Sequence, residues 1–137
     1  MQSDSLFLVI GLQKEDKPEE QQPKNVYRNP VIDYSLPDPT IIEDGDGYYY
    51  LYATEDIRNL PIHRSKDLIN WEWVGTAFTD RTRPDFEPCG GLWAPDINKI
   101  GDTYVLYYSM SKWGGEWTCG IGCATADKLR GHLKTMV

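Results

Sequence analysis

Two carboxylates stand out by their place in the chain. Asp38 lies between Pro37 and Pro39 at the head of a short β-branched run. Asp96 closes the segment Leu92-Trp-Ala-Pro-Asp at the head of another. Side chains alternate with period two along a strand. Asp96 sits two residues deeper in its segment than Asp38 does in its own, so the offset is expected to keep both on one face. Two convergent carboxylates are what glycosidic hydrolysis requires, and a further group can tune them. An Asp beside a Pro is equally a plain turn former, and spacing alone leaves that reading open. Trp93, just before Ala94-Pro95-Asp96, offers a flat indole on which a sugar ring could stack. Trp113 and Trp117, in the loop Lys112-Trp-Gly-Gly-Glu-Trp, are similar candidates. Ordinary aromatic packing competes with that role at each of them.

The other reactive residue types carry less. Trp71 and Trp73 are expected to close the outer edge of a sheet. Glu87 and Glu116 fall in loops and read as solvated, and His63 and His132 take no role. Cys89, Cys119 and Cys123 are odd in number, so they make no disulfide framework. No further ligands stand at zinc spacing beside Cys119 and Cys123. Small thiols on a strand are the expectation, with no metal and no cofactor.

Groups of this kind need a scaffold, and the sequence repeats one. The segment from Asp38 to Ala53 aligns without a gap on the segment from Ala94 to Ser109, at an offset of 56 residues. Pro39 meets Pro95, Ile41 meets Ile97, Gly45-Asp46 meets Gly101-Asp102, Tyr48 meets Tyr104 and Tyr52 meets Tyr108. Repeats of about this period mark solenoids, propellers and arrays. The runs Thr40 to Glu43 and Tyr48 to Ala53 flank Asp44-Gly-Asp-Gly, a hairpin signal. Strands over Ile62 to Ser65 and Trp71 to Gly75 complete a four-stranded antiparallel unit. The second copy supplies Asp96 to Ile100, Thr103 to Ser109 and Thr118 to Ala124, and reads as an incomplete unit. No helix pattern of useful length is present. An all-β fold follows, with propeller blades the leading form and a sandwich of short strands sharing the same turn spacing.

Composition bounds the partners. A chain of 137 residues holds at most one domain. Its net charge of −7 argues against nucleic acid and against an anionic membrane surface. No apolar run approaches the length of a membrane-spanning helix. Five Trp and nine Tyr suit strands, interfaces and sugar platforms. At the N-terminus, the apolar run Leu6 to Leu12 has no basic residue before it, against the pattern of a complete secretory signal. Residues 13 to 25 carry no apolar side chain except proline and are expected to be disordered. Residues 1–26 are therefore read as a disordered segment or signal remnant, and 27–137 as the folded unit.

Taken together, several pieces resemble the N-terminal part of glycoside hydrolase family 43 in order and spacing. They are Asn29-Pro-Val-Ile, Pro37-Asp38-Pro39-Thr-Ile, Tyr48-Tyr-Tyr-Leu-Tyr, Leu60-Pro-Ile, Ser65-Lys-Asp-Leu-Ile-Asn-Trp71 and Leu92-Trp-Ala-Pro-Asp96. The resemblance covers roughly residues 27 to 128. It implies a five-bladed β-propeller, of which this chain holds about the first two blades. It also implies inverting hydrolysis of arabinan, xylan or related oligosaccharides, outside the cell or in the periplasm. Asp38 matches the family's general base. Asp96 matches the second Asp, which tunes and orients the acid. The family's general acid is a Glu from a later blade, beyond residue 137. Lys128 to Val137 do not continue the family pattern, so 27–137 reads as a partial domain of a truncated chain or fragment. A carbohydrate-binding fragment without turnover is the alternative reading, and an interaction domain with no sugar ligand is a third.

Overall fold

The computed structural model describes residues 26–87, 89–115, 119–129 and 134–136. The disorder expected of residues 1 to 25 lies outside these. Eight strands form two antiparallel sheets, and no helix occurs among the described residues. The first sheet runs β1 (Thr40–Glu43), β2 (Tyr49–Tyr52), β3 (Pro61–Ser65), β4 (Glu72–Thr76). The second runs β5 (Gly91–Ile100), β6 (Thr103–Ser111), β7 (Cys119–Ala126), β8 (Lys134–Met136). Each sheet is a plain meander in chain order. No strand passes from one sheet to the other, as the Greek-key connections of a sandwich would require. A meander repeated sheet after sheet is the construction of a propeller.

The turns show why the chain reverses where it does. Between β1 and β2, the Asp44 carboxylate accepts the Gly45 N–H (2.8 Å) and the Asp46 carboxylate accepts the Tyr48 N–H (3.0 Å). Gly47 supplies a φ of 80°, which glycine adopts without a Cβ penalty. Between β3 and β4, Asp67 accepts the N–H groups of Asn70 (2.8 Å) and Ile69 (2.9 Å), the Asn70 side-chain amide and the Ser65 hydroxyl. The Asn70 bonds above all hold the Asp67 carboxyl far below the usual carboxylate range. Such side-chain-to-backbone bonds are the turn chemistry of Asp and Asn.

The two sheets meet along β1 and β5, with β2 behind. Their shared core joins Tyr50, Tyr52 and Ile62 of the first sheet to Ile97, Leu106, Tyr108 and Ala124 of the second, with Phe78 and Leu129 filling in. Two hydroxyls tie the sheets further. Tyr52 Oη donates to the Leu129 carbonyl (3.0 Å), and Tyr104 Oη donates to Asp44. The repeat holds in the backbone as well: Asp38 and Ala94, equivalent in the two copies, both take φ 48°. One expectation needs correction. The second unit is not three-stranded, because β8 pairs with β7 through Cys123↔Met136, Ala124↔Thr135 and Thr125↔Lys134. Three residues in a basic tail carry no readable strand pattern, and main-chain pairing does not need one.

Candidate active site

Asp38 stands just before β1, on the loop entered through Pro37 and left through Pro39. Its left-handed backbone is unusual for a residue other than glycine, although Asp tolerates it better than most. Such a conformation costs roughly 1–3 kcal/mol and persists only where the surroundings impose it. Here Thr54, two residues past the end of β2, imposes it. The Thr54 N–H donates to the Pro37 carbonyl (2.9 Å), and its hydroxyl donates to Asp38 Oδ2 (2.7 Å). The same hydroxyl oxygen accepts the N–H of Ala94 (2.8 Å). Among the described residues, Asp38 Oδ1 takes no hydrogen bond.

Asp38 opens into a cavity of about 430 Å³ between the sheets. Thr54, Glu55, Asp56, Trp93, Ser111 and Trp113 are among its other lining residues. Trp93 is half-buried, and its indole N–H donates to Ser111 Oγ (3.0 Å), which fixes the ring edge. Trp113 is 91% exposed, a large indole held at the rim. Three of the four candidate site residues thus share one cavity. Asp96 does not line it. It is exposed on β5, just past the irregularity between Trp93 and Asp96 where the β5–β6 register shifts. Strict alternation does not extend to Asp38, which precedes its strand in the left-handed region. Ala94 breaks the alternation of β5 in the same way. The β5–β6 register sets Trp93 opposite Ser109 and Asp96 opposite Tyr107, so Asp96 shares the sheet face of Trp93 without lining the cavity itself.

The sequence reading missed Thr54, Glu55 and Arg83. The Glu55 carboxylate accepts both Arg83 amino groups (2.7 Å at Oε2 and 2.6 Å at Oε1). It also accepts the N–H of Asn59 (2.8 Å) and that of Leu92 (2.8 Å). Arg83 donates further to the carbonyl of Gly90 (2.9 Å) and to Asn59 Oδ1 (3.0 Å). Both side chains are close to buried, at 9% and 11% exposure for Arg83 and Glu55. Burial pushes the Glu55 carboxyl up, but the Arg83 bond and the Leu92 and Asn59 N–H groups outweigh it and hold it below its ordinary value. Glu55 is thus an anchor for the start of β5, with both oxygens engaged, and not a proton donor in waiting. One signal was available: the 56-residue offset pairs Glu55 with Ser111 and Pro37 with Trp93, and all four line the cavity.

The remaining candidates fall elsewhere. A larger apolar groove of about 700 Å³ lies against the first sheet, walled by Tyr34, Leu36, Ile41, Leu51 and Trp71. No carboxylate lines it, so it offers no acid–base chemistry. Trp73 is half exposed on β4, the last strand of its sheet. His63 is buried, with Nε2 bonded to Tyr34 Oη (2.5 Å), and burial pushes its imidazole towards the neutral form. Glu87 is half-buried away from the cavity and uses its carbonyl to accept the Gly90 N–H (2.8 Å). The cysteines are free, and no grouping of metal-ligand type occurs among the described residues. Glu116, Trp117 and His132 lie outside them.

A repeated four-stranded meander, with an anchored carboxylate and two indoles lining one cavity, has the make-up of adjacent β-propeller blades. The family model for glycosyl hydrolases family 43 matches residues 27–136, and the chain belongs to that family. The chain is 31% identical over 134 residues to the non-reducing end α-L-arabinofuranosidase BoGH43B of Bacteroides ovatus. That match takes in 92% of this chain and 24% of the relative. It is 31% identical over 96 residues to a probable arabinan endo-1,5-α-L-arabinosidase A of Aspergillus flavus, covering 69% of this chain and 29% of the other. Among solved structures, the α-L-arabinanase of Cellvibrio cellulosa superposes with a TM-score of 0.66 at 29% identity, covering 76% of this chain and 35% of that one. The arabinanase Arb43A of Bacillus subtilis gives 0.65 at 32%, covering 75% and 37%. The fold is that of part of a five-bladed β-propeller. The chain spans 24% and 29% of these curated relatives and about a third of the solved ones.

Proposed function

We propose that this chain carries the water-activating side of an inverting glycoside hydrolase acting on arabinan, xylan or their oligosaccharides. One observation carries the reading: Asp38 lines a cavity together with Trp93 and Trp113, with one carboxylate oxygen held by Thr54 and no hydrogen bond to the other among the described residues. A carboxylate so held can take a proton from a water while that water attacks the anomeric carbon. The acid then acts on the opposite face of the sugar, roughly 6.5–9.5 Å away. The indoles give the sugar's apolar face a platform. Relatives named as arabinanases, arabinofuranosidases and a xylan 1,3-β-xylosidase of a Vibrio species supply the substrate class.

Asp96 stays in this proposal as the tuning carboxylate that the family resemblance implies, acting from outside the cavity lining. Asp96→Asn is expected to shift the pH profile of hydrolysis, and an unchanged profile removes it from the mechanism. The second reading, sugar binding without cleavage, draws support from Glu55, whose engagement with Arg83 leaves it no proton to give. Binding is tested by titrating arabinohexaose and xylohexaose while following tryptophan fluorescence. Trp93→Ala should weaken binding about tenfold, equivalent to about 1.4 kcal/mol, whereas Asp38→Asn should leave it nearly unchanged. A chain that binds neither sugar refutes both readings.

A further inference from the structure

We propose that Thr54 is a positioning residue for Asp38, and that its hydroxyl holds the Asp38 side chain in the one rotamer that presents its carboxylate to the cavity. The inference rests on Asp38 as the base and adds a residue to that site.

The donor and acceptor roles are fixed by elementary chemistry. A hydroxyl carries one proton. At Thr54 the oxygen already accepts the N–H of Ala94 (2.8 Å), and an N–H can only donate. The hydroxyl proton is therefore free to point at Asp38 Oδ2, 2.7 Å away, and a carboxylate is the acceptor that rewards it most. Oδ2 is thereby engaged, and Oδ1 takes no hydrogen bond among the described residues, on a side chain that lines the cavity. The Thr54 N–H, donated to the Pro37 carbonyl (2.9 Å), fixes the residue just before Asp38 as well.

The two residues that Thr54 ties together are the left-handed pair. Asp38 and Ala94 share φ 48° at equivalent places in the two repeats. One side chain thus holds the loop that bears the carboxylate and the residue next to Trp93, on different sheets. A rotation of Asp38 about its Cα–Cβ bond would break this chain of bonds and swing the carboxylate off the cavity.

The test reads the Asp38 side chain directly, in this chain as it stands. Three-bond couplings from Asp38 Cγ to its amide nitrogen and its carbonyl carbon report the χ1 rotamer. We expect one rotamer in the unmodified chain and in Thr54→Ser, which keeps the hydroxyl. In Thr54→Val, of the same shape without the hydroxyl, the couplings should fall to rotamer-averaged values. Thr54→Val chains that keep a single Asp38 rotamer overturn the proposal. So does averaging already present in the unmodified chain, which needs no variant to fold. Failure of the base reading looks different: Asp38→Asn would hydrolyse arabino-oligosaccharides at the unmodified rate in any form that turns them over, while the Asp38 couplings in the Thr54 variants stay as expected.

Discussion

The charged groups lining the cavity have divided tasks. Glu55 uses both oxygens on Arg83 and two N–H groups, in a site nearly closed to water. Removing one member of a buried ion pair leaves the other uncompensated, at a cost of about 3–5 kcal/mol. Arg83→Met is therefore expected to lower the urea midpoint strongly and to loosen the start of β5, where the Gly90 carbonyl loses its tie to Arg83. The pH dependence follows from the direction of the shift. The folded Glu55 carboxyl lies below its ordinary value of 4.5. Its contribution to stability is then fully present above the unfolded value and is lost as pH falls through the folded one. Denaturant titrations should show a steep loss below about pH 4.5. Glu55→Gln should be less stable at neutral pH and lose less on acidification. Identical acid slopes for the two proteins would refute the assignment.

Within the elements, the tightest fit is between β6 and β7. Tyr108 and Gly122 are cross-strand partners, and a Cβ added at Gly122 would lie 2.3 Å from Tyr108 Cζ. Tyr108 is fully buried against Phe78, at 5.2 Å between ring centroids, so its ring has no room to retreat. Gly122→Ala should then destabilise by about 1–3 kcal/mol, the usual range for overpacking, visible as a lower melting temperature. An unchanged melting temperature would mean that the ring yields. Elements of this sort were largely legible in the sequence. The 56-residue repeat located both hairpins, because turns built on Gly and Asp between β-branched and aromatic runs leave little choice of conformation. The cavity was legible only in part. Asp38, Trp93 and Trp113 announce themselves by type and neighbours. Thr54 and Glu55 work through partners up to 40 residues away, and a Glu after a strand looks like any solvated residue. The spacing of Asp96 was not legible in the same way, because period-two reasoning assumes extended backbone and sees neither the left-handed residues at 38 and 94 nor the irregularity between Trp93 and Asp96.

For the molecule as a whole, the two sheets bury one face each against the other, and the second leaves much of its other face open. Tyr107 (41% exposed) and Ile121 (81%) share that face, whereas on the first sheet the face of Ile41 and Trp73 also carries buried Leu51 and His63, the latter bonded to Tyr34. Flat apolar sheet faces invite association, which the net charge of −7 opposes. Sedimentation should therefore show self-association that grows with salt, as screening removes the repulsion, and that Ile121→Lys reduces. A salt-independent monomer would count against it. The same open geometry bears on activity. Inverting hydrolysis needs a protonated acid on the face opposite the base, and general acid help is worth roughly 10²–10⁴-fold. The cavity's carboxylates among the described residues are Asp38, Glu55 and Asp56, with Asp38 cast as base and Glu55 held ionised by Arg83. The 137-residue chain is thus expected to release no measurable arabinose or xylose from aryl glycosides or arabino-oligosaccharides, while still binding the latter. Rapid hydrolysis abolished by Asp38→Asn would reverse that expectation and confirm the base. It would place the acid on the one cavity carboxyl not otherwise engaged, exposed Asp56, or on Glu116 outside the described residues. Asp56→Asn and Glu116→Gln, assayed side by side, would then decide between them.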